Sequence, residues 1–307
     1  VNKAFVLGAG LGERLRPLTE QLPKPLVPVY HRPLITYAFD HLRAAGVGEF
    51  VVNTHHLPQC YGEAFPQGEY AGCPVHLRHE PVRLETAGGI SNVRGLLGGL
   101  QSFFVYNGDI LTDLPLQPVI NEHETKGNIV TLALRSTGPA LHIGFDAERG
   151  LVTDIRNKLG TGNEGTHLFT GIYLVHPVFF DRLTPGKKES VIPIFLKLIE
   201  EGFRVGAVVV DEGRWWDLGS REAYLAAHRD LLAEPHLPAI DPDAQIHAEA
   251  VLKGLNVIGA KAEVAAGATL EDCILWPGAK VEPGANLRRC IVRANVVAGG
   301  VHDGVDF

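Results

Sequence analysis

Residues 3–29 read KAFVLGAGLGERLRPLTEQLPKPLVPV. Five mostly apolar residues, 3–7, run straight into Gly8, Gly10 and Gly12. That pattern predicts a short buried strand ending in a bend where backbone, not side chain, lines the surface. A helix is predicted over 33–45: Ile35, Ala38, Phe39, Leu42 and Ala45 recur at three and four residues, between Pro33 and Gly46. Strands follow at 49–53, 75–78, 102–106, 129–134, 151–155, 168–175 and 205–210. Helices are expected at 87–97, 189–201 and 221–232; the second places Ile192, Phe195, Leu196 and Ile199 on one face and closes at Gly202. Short strands alternating with helices predict an α/β domain with a mostly parallel, Rossmann-like sheet over residues 1–232.

Periodicity changes after residue 232. AEPHLP (233–238) reads as the start of a linker over 233–239, and residues 240–307 lose all helical spacing. LEDCILWPGAKVEPGAN (270–286) and LRRCIVRANVVAGGVHD (287–303) place Leu, Cys and Ile in register. The pairs Val257–Ile258, Ile274–Leu275 and Ile291–Val292 recur every 17 residues, as do Val264 and Val281. Apolar positions within a turn of this repeat step by five or six. A step near six with Gly or Pro-Gly corners predicts a parallel β-helix whose three sides each send one aliphatic residue inward. Cys273 and Cys290 are expected to stack as small buried hydrophobes.

Composition narrows the function. The chain of 307 residues is 45% hydrophobic and 21% charged, which excludes disordered and fibrous classes. No run approaches a membrane span, and the N-terminal segment makes a poor signal peptide, so a cytoplasmic protein without membrane or nucleic-acid partners is expected. Four cysteines without a C-x-x-C pair give zinc and dithiol chemistry little support. Net charge is −7, yet residues 1–32 hold five cations against two carboxylates, a local +3. A basic cluster beside a glycine turn, in an acidic protein, suits a small anionic ligand.

The glycine turn can be sorted among phosphate binders. The dinucleotide fingerprint needs glycine at position 13 and meets Glu13; the P-loop needs Gly-Lys-Ser/Thr, which is missing. What stands here is Gly8, Gly10 and Gly12, then Arg14, Arg16 and Lys24, the last between Pro23 and Pro25. Backbone N–H groups can converge on phosphate oxygens there, with cations behind them.

This run resembles the signature of the sugar-1-phosphate nucleotidyltransferases, L-x-x-G-x-G-x-R-L-x-P-L-T followed by P-K-P. Four further segments resemble family motifs in the same order. They are Leu84–Gly89 with Glu80 ahead of it, Asn107-Gly108-Asp109, Phe169–Tyr173, and Trp216-Asp217-Leu218-Gly219-Ser220. The resemblance implies nucleotidyl transfer from an NTP to a sugar-1-phosphate with release of pyrophosphate, guanylyl or uridylyl transfer to a hexose or hexosamine above all. It implies catalytic Arg14 and Lys24, and nucleotide contacts from Leu7, Gly8, Ala9, Gly10, Gly12, Glu80, Thr86, Ala87, Gly88 and Gly108. Sugar contacts fall on Asn107, Gly144, Asn157, Thr170 and Gly171, and Mg²⁺ on Asp109 and Asp217. Two carboxylates plus substrate phosphates is an ordinary Mg²⁺ donor set. Several members carry a left-handed C-terminal β-helix, through which a homo-oligomer is expected. Phe169 stands where relatives have Asn, and Arg156-Asn157-Lys158-Leu159 where they have E-K-P, so the sugar is the least determined part. The alternatives are a catalytically idle relative that binds nucleotide sugar and regulates a partner, and acyl transfer by the β-helix.

Overall fold

The computed structural model describes residues 1–99, 101–234 and 236–307. By internal contacts the chain divides into two compact units. One comprises Val1–Leu11 and Ile35–Asp217, the other Gly12–Leu34 and Leu218–Phe307.

The first unit is built on a mixed sheet. Its described strands run in the order Ile143–Asp146, Leu151–Ile155, Val205–Val209, Val130–Arg135, Leu168–Val175, Phe103–Asn107, Lys3–Leu7, Glu49–Thr54, Cys73–His79 and Glu69–Tyr70. Lys3–Leu7 lies between Glu49–Thr54 and Phe103–Asn107 and pairs with both in parallel, and Cys73–His79 extends that run. Val205–Val209 pairs in parallel with Val130–Arg135. Leu168–Val175 runs antiparallel to both its neighbours and joins the two parallel groups. Its buried apolar run gives no hint of direction, because a strand buried on both faces reads alike either way. Phe5, Val51, Val105, Leu132, Tyr173 and Phe195 belong to one buried core that the helix Val191–Glu200 helps to close.

The predicted elements fall in place with small shifts. The helix expected at 33–45 is Leu34–Ala44, and that expected at 189–201 begins at Val191, where the Ser190 hydroxyl accepts the Ile192 N–H. The helix expected at 87–97 is two pieces, Glu85–Asn92 and Arg94–Leu97. Helices Pro58–Ala64 and Gln117–Lys126 were not predicted.

The second unit contains the coiled repeat. Three parallel sheets form its sides, with Val264 opposite Val281, Leu270 opposite Leu287, and Leu275 opposite Ile258 and Val292. The 17-residue spacing is thus the length of one coil. Val264, Leu270, Leu275, Val281, Leu287 and Val292 are buried together with Cys273 and Cys290. Between Leu287 and its partner His302 the last coil is 15 residues long. Phe307 packs edge-on against His302 and against the buried core of the coils.

The contact division does not follow the boundary expected at 232/233. Tyr224, ahead of that boundary, accepts the Trp276 indole N–H at 3.1 Å and donates to the Pro28 carbonyl. Segment 12–34 and helix Arg221–Asp230 therefore group with the coils rather than with the sheet. Pro235, within the expected linker, lies outside the described residues.

Candidate active site

Parallel pairing sets the site in the first unit. Leu7 is level with Asn53 on one side and Asn107 on the other, so Gly8, Asn53 and the 107–109 turn all stand at the carboxyl ends of neighbouring strands. The chain order of these strands reverses across Lys3–Leu7. Sheets of this kind bind ligands in the crevice at such a switch point.

A buried polar network shapes the turn. Asn53 is 2% exposed; its Oδ1 accepts the Gly8 N–H at 2.8 Å and its Nδ2 donates to Glu80 Oε1 at 2.9 Å. Glu80 Oε2 accepts the Leu84 N–H at 3.0 Å, and Tyr61 donates its hydroxyl proton to the Gly8 carbonyl at 2.8 Å. Every side-chain group in this set has a partner, as burial requires. A side chain on Gly8 would meet the Asn53 carbonyl oxygen at 2.5 Å, so close packing explains that glycine. At Gly10 a Cβ would meet nothing within 4 Å. Packing does not ask for glycine there, whereas close approach of a ligand to the backbone does.

Backbone pairing brings the two residues expected to bind metal onto adjoining strands. Strand Ile110–Thr112 follows Asp109 directly and pairs antiparallel with Trp215–Asp217, Asp217 opposite Ile110. Residues 108 positions apart in sequence become near neighbours. Burial above all, with the Asp109 charge added, pushes the phenol of Tyr61 above its ordinary range. The donor set fits a divalent cation of the Mg²⁺ kind, which takes one or two carboxylates and completes its shell with substrate phosphates and water. Among the described residues no cluster of three or more His, Cys, Asp or Glu side chains forms an all-protein metal cage.

Two expected sugar residues lie beside this cluster. Strand Leu168–Val175 shifts register between Phe169 and Tyr173, and the irregularity contains Thr170 and Gly171. Bulges of this sort re-aim a strand next to active sites. Gly171 has φ 84°, and a side chain on it would press on the Asn107 amide at 2.5 Å. Thr170 donates to Ala133 O at 2.8 Å and accepts at its carbonyl from Trp215 Nε1 at 2.9 Å, tying the bulge to the strand of Asp217. Gly144 and Asn157 gather elsewhere, around Asp154. Gly144 pairs with Asp154, whose fully buried carboxylate accepts the N–H groups of Ile155, Leu159 and Thr161 and the Thr161 hydroxyl. These bonds outweigh desolvation and hold Asp154 below the ordinary carboxylate range. Asn157, at φ 50°, accepts the Gly162 N–H in the same loop.

The expected base-contacting loop is pinned from one side. Ala87 and Gly88 donate their N–H groups to Glu189 O, and Thr86 Oγ1 accepts the Val191 N–H at 2.9 Å. Those two amides hold the loop to segment 189–191. Glu80 likewise uses both carboxylate oxygens to shape the loop. Asn53 and Tyr61 escaped the sequence reading; a polar residue closing an otherwise apolar predicted strand was the available signal for Asn53.

The cationic half of the motif belongs to the second unit. Three single turns of 3₁₀ helix, Glu13–Leu15, Leu18–Glu20 and Lys24–Leu26, carry Arg14 and Lys24. Gly12, at φ 65°, lets its backbone sit against Thr19 and the base of Lys24, and Thr19 donates to Gly12 O at 2.8 Å. Lys24 is 5% exposed, so its stem is enclosed and its direction set.

Known proteins match this chain in sequence and in fold. The nucleotidyl transferase family model covers residues 3–234. A mannose-1-phosphate guanylyltransferase of Mycobacterium tuberculosis is 29% identical over 303 residues, 93% of this chain and 83% of its own. An N-acetylmuramate alpha-1-phosphate uridylyltransferase of Neisseria meningitidis is 33% identical over 221 residues, 71% of this chain and 93% of its own. In fold, HddC from Yersinia pseudotuberculosis, solved with GMP-PN, superposes with TM-score 0.62 at 21% identity over 75% of this chain and all of that one. By the family model over most of its length and by the 33% identical relative, the chain belongs to the nucleotidyl transferase family.

Proposed function

We propose that the protein transfers a nucleotidyl group from an NTP to a sugar-1-phosphate, with Mg²⁺ bound by Asp109 and Asp217. The observation that carries this reading is the pairing of Asp217 opposite Ile110, beside Asp109, at the strand ends that hold the glycine turn. One phosphate oxygen of the sugar attacks the NTP α-phosphorus; a new P–O bond forms, the α–β bridging bond breaks, and pyrophosphate leaves. Two anions must meet, so opposing charge lowers the barrier. Mg²⁺ held by Asp109 and Asp217 would supply part of that charge. Gly8, Ala9, Gly10 and Gly12 offer backbone to the triphosphate, and Leu7 and Gly108 line its approach. Arg14 holds the departing pyrophosphate, and Lys24 neutralises the phosphate oxygens that react. Glu80, Thr86, Ala87 and Gly88 shape the base pocket, while Asn107, Thr170 and Gly171 meet the sugar. Gly144 and Asn157 bound its far side through the Asp154 loop.

Relatives that transfer guanylyl and uridylyl groups both support a sugar-phosphate acceptor, a hexose or hexosamine. Assaying pyrophosphate release over a grid of NTPs and sugar-1-phosphates with Mg²⁺ identifies the pair. Labelled nucleotide that binds without any pair reacting would favour an idle regulatory relative.

A cytoplasmic enzyme that assembles through its coils belongs to the same proposal. No helix among the described residues is long and apolar enough to cross a membrane. Val251, Val297 and Val301 lie on outer coil faces at 45, 55 and 79% exposure, an apolar set that a second copy could cover. Light scattering that finds only monomers would reject the assembly.

A further inference from the structure

We propose that Arg293, in the last coil of the β-helix, is a positioning residue for the segment that carries Arg14 and Lys24; its catalytic meaning rests on the roles given to those two cations above. Single 3₁₀ turns have too few internal bonds to persist alone. Segment 13–26 is three of them in succession, broken by Pro17 and Pro23, so its conformation must be imposed from outside.

Arg293 supplies that constraint at the midpoint. Its Nη1 donates to Pro17 O at 3.1 Å and to Glu20 Oε2 at 3.1 Å. Its Nε donates to Phe307 O at 2.7 Å, which fixes the guanidinium plane against its own coil. The side chain is only 18% exposed. Next to it, Ala294 O accepts the Gln21 amide at 3.3 Å. Pro17, Glu20 and Gln21 all lie between Arg14 and Lys24, so one planar cation grips the stretch joining the two proposed catalytic cations. A rigid fork with several donors can serve three acceptors in one geometry, which an ammonium cannot.

A second tie secures the following hairpin. Trp276, buried in the coil, donates to Tyr224, whose hydroxyl in turn donates to Pro28 O. Tyr30 and His31 sit at φ 44° and 67° in the turn between Val29 and Arg32, a backbone that L-residues adopt reluctantly. Tyr30 donates its hydroxyl proton to His228 O at 2.8 Å, and His31 Nε2 lies 3.0 Å from Pro238 O. These contacts keep the strained turn in place.

The test uses the full chain with Arg293→Ala, Arg293→Lys and Glu20→Gln. With the best substrate pair, Arg293→Ala should lower kcat about tenfold while KM for the sugar phosphate moves less than about threefold, since orientation rather than binding is lost. Added guanidinium ion should restore part of that rate, and Arg293→Lys and Glu20→Gln should fall between. Amide exchange at Leu15, Glu20 and Leu26 should quicken about tenfold in Arg293→Ala, with the strands Lys3–Leu7 and Ile274–Leu275 unchanged. A kcat within about twofold of the parent, or unaltered exchange in 13–26, overturns the proposal. If the parent itself turns over no substrate pair while the exchange difference is present, the catalytic reading fails and the clamp stands.

Discussion

The two halves of the signature motif are held by different means. Gly8 to Gly10 close a parallel strand, and their shape follows from strands on either side and from Asn53, Tyr61 and Glu80 beneath them. Residues 13–26 have no strand to extend and are shaped by Arg293, Ala294 and Thr19. A motif continuous in sequence is thus built on two unlike supports. The difference separates two kinds of support: a strand end is shaped by its sheet, whereas a run of single helical turns must be held by side chains from elsewhere in the sequence.

Acidification should probe both supports at once and produce the largest effect. Burial pushes His123 of the first unit and His228 of the second down to about 4. Both are therefore neutral when folded and take up a proton on unfolding once pH falls below the ordinary value of about 6.5. Their contribution is full above that pH and is lost between about 6.5 and 4, about 3 kcal/mol for each. These two rings alone should add about two protons to the uptake on unfolding at pH 5, measured calorimetrically in buffers of different ionisation enthalpy against His123→Gln and His228→Gln. An uptake that neither substitution lowers would mean that neither ring is enclosed as described.

Removing the proposed metal carboxylates should strike the strand-end half alone. Asp109→Ala and Asp217→Ala should each cost about a hundredfold or more in turnover at saturating Mg²⁺. Exchange in 13–26 should stay at the parent level. Near-normal rates for either variant would contradict the assignment.

A smaller effect should separate packing from chemistry. Asn53→Ala strips a partner from the Gly8 N–H and from Glu80 Oε1, both buried, at a cost of about 1–3 kcal/mol in stability. Urea titration measures it, and an unchanged midpoint would show the network to be dispensable. Smallest is Trp276→Phe, which loses one hydrogen bond to Tyr224 and keeps most of the packing. About 1 kcal/mol and faster exchange around Pro28 are expected; loss of the whole loop's protection would mean that this tie, not Arg293, holds segment 13–26.

Much of this was legible beforehand for physical reasons that differ by region. Coil length in the β-helix could be read because the inward aliphatics of the central coils recur at 17 residues, and Val264 does face Val281. Strand ends could be read from glycines. Direction could not: Leu168–Val175 is antiparallel, yet its residues would suit either sense. Helix Gln117–Lys126 stayed hidden because only Val119, Ile120 and His123 face inward, and His123 is polar. Asp109 and Asp217 were named from motifs, but their adjacency depends on a two-strand pairing that no local pattern encodes. Asn53 was passed over because a polar residue at a strand end commonly meets water.

The path of the chain between its two units has a consequence for synthesis. Pro17 and Glu20 are joined to Arg293 across 276 and 273 residues. At roughly 5–20 residues per second, a ribosome needs on the order of ten seconds to a minute to supply that partner. Through that interval the stretch holding Leu15, Leu18 and Leu26, all buried in the folded protein, lacks the Arg293 clamp. The emerging chain must shelter its own signature loop, or borrow a chaperone, until Arg293 has been made. Nascent chains stalled near residue 240 should therefore be cut by protease within 12–34, and finished ones should resist.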